Sequence, residues 1–188
     1  MAHTHPSDEE LEARWKQGST PAFSLLFERY YARVFAFSYR ITHDRHAAED
    51  LAQRAFLNLY KKPPGGEGRG STFKSLVFTV VRNESVNHIK WRARRREGAI
   101  EGAAGTPTDA PPPDVRLDGK ERGQELGAAL ERLPQEEREI VTLRVIEGLT
   151  FREVCEVTGL SRDAVRWRLA KGLETLRMGL IPQSGGES

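Results

Sequence analysis

Two helix starts lie close together in the run LTFREVCEVTGLSRDAVRWRLAKGLETL, Leu149 to Leu176. Thr150 followed by Glu153 spells a capping box, in which each side chain satisfies an amide the other end leaves open. Gly159 supplies the left-handed residue that ends this first helix. Ser161 caps the second, and Asp163 in its first turn suits the positive end of the helix dipole. Leu149 with Val154, and Leu160 with Val165, are staple pairs at the two starts. Two short capped helices hinged at a glycine predict a helix-turn-helix, whose second helix enters a DNA major groove.

That second helix has two faces in the sequence. Val165, Leu169, Leu173 and Leu176 recur at helical spacing and are expected to pack inward. Arg162, Arg166, Trp167, Arg168 and Lys171 lie largely off that stripe. A run of charge on a helix is often only a solvated face. Here the cations crowd the N-terminal part of a second helix, where base contacts are made, and Arg can pair with phosphates or read guanine edges.

The stretch Glu97–Gly119, EGAIEGAAGTPTDAPPPDVRLDG, is rich in Gly, Ala and Pro and poor in large apolar residues. It cannot bury a core and reads as a flexible linker. It divides the 188 residues into an N-terminal domain, 7–96, and a C-terminal domain, 120–180, with a frayed tail from Gly179. The formal net charge is only +2, so any case for nucleic acid rests on where the charge is placed. Cys155 is the one cysteine, which excludes an intramolecular disulfide and a cysteine-rich zinc site. Among apolar neighbours it reads as a buried structural thiol. No apolar run is long enough to span a bilayer, and MAHTHPSDEELEARW lacks the apolar core of a signal peptide. A cytoplasmic protein is expected, with no membrane insertion; His3 and His5 take no role.

The N-terminal domain reads as four helices. Ser7 and Glu10 box the first, which carries Leu11 and Trp15. Thr20 and Pro21 start the second by N-cap and first-turn proline. Phe23, Phe27, Tyr30, Val34, Phe37 and Ile41 then form an aromatic and aliphatic stripe that reads as core. A third runs from about Arg45 to Tyr60 with Leu51, Ala55 and Leu59 inward. After the loop KKPPGGEGRG, Ser71 or Thr72 caps a long fourth helix that reaches about Arg96. The C-terminal domain adds helices near Lys120–Arg132 and from Pro134, the latter packing through Ile140, Leu143 and Val145. No segment alternates like a strand, so the fold class is all-α: two small helical domains, the second containing the helix-turn-helix.

The fourth helix ends KWRARRR, Lys90–Arg96, with five cations and a Trp in seven positions. Such a surface neutralises phosphates, and Trp91 can stack on an unpaired base.

The order of these segments resembles the sigma-70 family, in particular its extracytoplasmic-function (ECF) group. AEDLAQRAFLNLY, Ala48–Tyr60, is similar to the family helix that docks on the β′ clamp helices of RNA polymerase. STFKSLVFTVVRNESVNHIKWRARRR, Ser71–Arg96, is similar to the segment that melts and reads the −10 promoter element. The stretch Leu130–Arg177 is similar to the −35-binding domain. The resemblance implies a polymerase-dependent initiation factor that is not an enzyme, holds no cofactor or metal, and takes no small-molecule substrate. Its partners would be core RNA polymerase (β′ clamp helices and β flap), promoter DNA and an anti-sigma factor. It places Glu49, Asp50, Gln53, Arg54 and Leu57 against the polymerase. It places Arg69, Phe73, Lys74, Arg82 and Asn83 at the −10 element, with Asn87, His88, Trp91 and Arg92 on flanking nucleotides. Arg162, Asp163, Arg166, Arg168 and Lys171 would meet the −35 duplex, with Trp167 at its edge. The chain departs from the family pattern at Ala47, Arg54, Leu76, Thr79, Asn87 and Trp167.

Two rivals stand beside this reading. A helix-turn-helix regulator that acts without the polymerase has no need of the Ala48–Tyr60 helix. A nuclease-like enzyme could use His43, His46, Glu49 and Asp50 on a metal, yet these residues also suit an ordinary solvated helix start.

Overall fold

The computed structural model describes residues 6–61, 71–98 and 120–180. The chain divides into two compact units, Met1–Ala110 and Pro111–Ser188. All regular structure among the described residues is helical. The linker expectation lies outside the described residues except for Glu97 and Gly98, which extend the fourth helix.

The first unit holds α1 (Asp8–Lys16), α2 (Thr20–Thr42), α3 (Arg45–Lys61) and α4 (Phe73–Gly98). Ser7 and Glu10 close their capping box on α1. The cap of α2 is Ser19, not Thr20: Ser19 Oγ accepts from the Ala22 amide at 3.4 Å, and Thr20 is already helical. Pro21 tolerates this one-step shift because the amide it lacks would be unpaired anywhere in the first turn. His43, in the left-handed region at φ 51°, ends α2. Asp44 Oδ1 then accepts from the Ala47 amide at 3.0 Å and starts α3. Thr72 Oγ1 accepts from the Ser75 amide at 3.2 Å and caps α4. Buried Glu12 of α1 adds a second tie there, accepting from the Phe73 amide at 2.8 Å.

The helices converge on aromatic rings. Phe73 sits 5.3 Å from Trp15, 5.6 Å from Tyr30, 6.2 Å from Phe23 and 6.3 Å from Phe56, so every helix of the unit meets at its ring. Such tilted and edge-on pairs add about 0.5–1.5 kcal/mol each beyond area burial. Ala48, Ala52 and Ala55 let α3 approach its neighbours closely. Tyr30 donates its hydroxyl to Asp8, which also pairs with Arg29. Burial, aided by that bond, pushes the Tyr30 hydroxyl well above its ordinary range, so it stays a donor. Deeper in the unit, Ser38 of α2 and Ser85 of α4 share a hydrogen bond at 2.9 Å.

The second unit holds α5 (Lys120–Glu131), α6 (Gln135–Val141), a π-helical turn (Thr142–Ile146), α7 (Phe151–Thr158) and α8 (Arg162–Leu180). Buried Arg138 joins α5 to α6, donating to the Glu131 carboxylate at 2.9 Å and to the carbonyls of Glu131 and Leu133 at 3.2 and 3.0 Å. Those carbonyls lie beyond the last α5 hydrogen bonds, so the guanidinium finishes that helix. Two sequence expectations fail here. Val145 is 55% exposed, because it lies two residues, about 200°, beyond buried Leu143 and so faces away from it; Val141, Leu143 and Leu149 fill the core. Leu173 is 43% exposed, because the inward stripe of α8 passes through Val165, Leu169, Gly172 and Leu176.

Gly172 has a steric reason. A Cβ there would meet Val141 Cγ2 at 2.8 Å and Glu137 Cβ at 3.4 Å, so the bare backbone of α8 lies directly on α6. Gly172→Val should destabilise the C-terminal unit by about 1–3 kcal/mol through overpacking, read as a lower midpoint in denaturant unfolding.

Candidate nucleic-acid interface

The helix-turn-helix forms as its caps require. Thr150 and Glu153 complete their box, Gly159 takes φ 72°, and Ser161 Oγ accepts from the Ala164 amide at 3.2 Å. The cations of α8 then divide into two sets. Arg168 donates to Glu136 at 2.6 Å, and Lys171 lies 2.9 Å from buried Glu137, so both lean toward α6. Arg162 and Arg166 lie on the opposite flank. Arg162 lines an open cleft of about 650 Å³ with Arg144, Thr150, Phe151, Arg152 and Cys155. Phe151 carries two guanidinium groups, Arg144 at 5.0 Å and Arg166 at 5.8 Å from its ring centre. This flank, built from α7, α8 and the π turn, is rich in Arg, a side chain whose geometry suits phosphate oxygens. Cys155 is half-buried in this cleft and not enclosed, because Val154, Val157 and Thr158 take the inward side of α7.

Trp167 projects from the middle of the exposed face of α8. At about 100° per residue it stands roughly opposite the buried stripe of α8, and it is 62% exposed. Asp163 shares that outward side and is also exposed.

The basic end of the first unit has its own outward line. Asn83, Asn87, Lys90, Trp91 and Arg94 are exposed and recur at helical spacing along α4. Trp91 is 50% exposed, with Arg95 stacked 4.7 Å from its ring centre and the His88 ring 6.1 Å away. Lys74, Arg82 and His88 are half-buried. Arg92 turns aside to pair with Asp44 at 3.0 Å, which holds the α2–α3 turn. Phe73, expected at the nucleic acid, is 1% exposed and belongs to the aromatic core; a buried ring cannot receive a base. Arg69 lies outside the described residues.

On α3, Glu49, Asp50, Gln53, Arg54 and Leu57 are all exposed on one side, and Tyr60 extends them with a second exposed apolar group. Arg54, one of the departures from the family pattern, pairs with Asp50 on this face at 2.6 Å. Among the described residues no three His, Cys, Asp or Glu side chains gather to hold a metal ion. No helix among them is long and apolar enough to cross a membrane.

Residues not singled out from sequence join these faces: Arg144, Phe151 and Arg152 beside α8, and Tyr60 on α3. Tyr60 could have been found by extending the Glu49–Leu57 spacing by one turn. Arg144 could not, because the π turn breaks the register that would place it.

Phe73→Ala should cost the first unit about 3–5 kcal/mol, as truncation of a core ring does. Asn83→Ala should stay within about 0.5 kcal/mol of the parent chain. Denaturant melts followed by circular dichroism separate the two.

Residues 26–96 match the family model for sigma-70 region 2, and residues 123–176 match that for sigma-70 region 4. The chain is 30% identical over 178 residues to the ECF RNA polymerase sigma factor SigE of Mycolicibacterium smegmatis, covering 92% of this chain and 68% of that one. It is 32% identical over 164 residues to the RNA polymerase sigma factor CarQ of Myxococcus xanthus, covering 87% and 92%. In fold it is similar to the sigma factor RpoE solved with the anti-sigma factor NepR from Bartonella quintana. That likeness has a TM-score of 0.64 at 21% identity, over 86% of this chain and 98% of the other.

Proposed function

The chain belongs to the sigma-70 family, in its ECF group, and from that premise we propose that it joins core RNA polymerase and opens promoters from two DNA contacts. The observation that carries this reading is the presence of two separate cationic and aromatic faces, one on α4 and one on α8, with a third, acidic and apolar, on α3.

The α8 face takes duplex DNA at the −35 element. Arg162 and Arg166 reach phosphates or guanine edges, and Arg144 and Arg152 supply charge beside them. Arg168 and Lys171 serve first to hold α8 against α6, through Glu136 and Glu137. The α4 face takes the separated strand at the −10 element. Extruding a base costs a few kcal/mol, and stacking on an aromatic ring returns about 1–3 kcal/mol per base. Trp91 offers such a ring, Asn83 and Asn87 offer amides to base edges, and Lys90 and Arg94 neutralise the backbone. Half-buried Lys74, Arg82 and His88 support the same face.

The α3 face docks on the β′ clamp helices. Glu49, Asp50 and Gln53 give polar contacts, and Leu57 with Tyr60 gives the apolar anchor. The α8 domain meets the β flap. A polymerase-independent regulator would leave this α3 face without a purpose. An anti-sigma factor holds the chain inactive; the solved relative was captured with a partner that carries that name. Domain 7–96 performs docking and opening, domain 120–180 performs upstream binding, and the linker between them sets their reach. All of this chemistry belongs to the cytoplasm, where the polymerase works.

Transcription in vitro with core polymerase tests the assignment. Arg162→Ala with Arg166→Ala should weaken −35 duplex binding and lower the slope of log K against log salt by about 1 for each phosphate no longer neutralised. Asn83→Ala with Trp91→Ala should spare that binding yet reduce strand opening, read by permanganate reactivity of unpaired thymines. Unchanged transcription with both pairs replaced would overturn the reading.

A further inference from the structure

We propose that Trp167 reads thymine in the upstream duplex, by packing its indole against the 5-methyl group in the major groove. This rests on the assignment of α8 to the −35 element. Trp167 stands on the second turn of α8, on the side opposite Val165, Leu169, Gly172 and Leu176. It is the foremost large side chain of a helix that presents its N-terminal turns to base edges. No protein atom is needed to cover it for the domain to fold, since the core closes behind it. Its flanks are cationic, with Arg166 on one side and Lys171 on the other, which is complementary to a groove walled by phosphates.

An indole in that place has one selective apolar partner. Of the groups on the major-groove edges, the thymine methyl alone is apolar and matches the carbon edge of the indole, whose single polar group is its N–H donor. The ring is also held before DNA arrives. Lys171 Nζ lies 5.0 Å from the Trp167 ring centre and 2.9 Å from Oε1 of Glu137. Glu137 is buried, so the ammonium is fixed at its far end and the indole rests against a fixed cation. Preorganisation of this kind saves the ordering cost that an exposed side chain otherwise meets on binding. Exposed Asp163, one turn earlier on the same side, can accept from a cytosine or adenine amine, so apolar and polar readout stand together.

The test uses the full chain assembled with core polymerase. Bound duplexes are selected from a library randomised upstream of the start site, for the wild type and for Trp167→Ser and Trp167→Phe. The enriched wild-type duplex is then rebuilt with deoxyuridine in place of each upstream thymidine in turn, which removes only the methyl. The wild type should lose about three- to fivefold in affinity at one position or two adjacent ones, the worth of one buried methyl. Trp167→Ser should bind thymidine and deoxyuridine duplexes equally and enrich other bases there, while Trp167→Phe keeps most of the discrimination. Equal binding of every deoxyuridine duplex by the wild type, or retained discrimination in Trp167→Ser, overturns the proposal. A polymerase complex that enriches no upstream duplex overturns the −35 assignment itself, and Arg162→Ala with Arg166→Ala reports on that assignment independently.

Discussion

The ring of Phe73 is the point on which the first unit depends. One side chain touches α1, α2 and α3 from the first residue of α4. Its amide is also tied to Glu12, so both the position and the entry angle of α4 are set before that helix has completed a turn. An α-helix is stiff over its length, and fixing its first turn aims everything along it. The outward line Asn83, Asn87, Lys90, Trp91 and Arg94 follows from that aim. So does the freedom of α3 to present Glu49 through Tyr60, because Ala48, Leu51, Ala52, Ala55, Phe56 and Leu59 are all taken up by the core.

In the second unit, helical phase sorts the cations of α8, and ion pairs with α6 hold one set of them. Arg162 and Arg166, four residues apart, share one flank of α8, whereas Arg168 and Lys171, three apart, share the other, where Glu136 and Glu137 on α6 pair with them. The exposed pair Arg168–Glu136 adds little to stability by itself. Its consequence is directional: a helix with charge all round becomes one with an Arg-rich flank and a tethered flank. Gly172 sets the approach of the two helices, since a Cβ there would meet Val141 Cγ2 at 2.8 Å.

The all-α class, the four helices of the first unit and the helix-turn-helix were legible because they rest on local signals. Ser7 with Glu10, Thr150 with Glu153, and Gly159 each decide a helix end within a few residues, and each does so in the structure. What was misread depends on partners distant in sequence. Phe73 looks like a surface aromatic beside a loop until Trp15 and Phe23 are placed against it. Leu173 looks like core until α6 is found lying over Gly172. Val145 differs: it looks like core beside Leu143, yet two residues apart on a helix they face opposite ways, and only Leu143 is buried. The candidate surfaces follow the same rule. Exposure along α3 and α4 and the two flanks of α8 could be read from spacing, whereas the acidic partners of Arg168 and Lys171 could not, because they lie on another helix.

The hydrogen bond between Ser38 and Ser85 couples two positions that local composition would treat as independent. Replacing one serine by an apolar residue strands the other hydroxyl in a dry interior, at about 1–3 kcal/mol, whereas replacing both by groups of similar shape is nearly neutral. Descent through single substitutions therefore crosses a barrier that descent through a paired change does not. The effects of substitutions at the two serines are therefore coupled, and the contact of α4 with α2 carries that coupling between residues 47 positions apart in the chain.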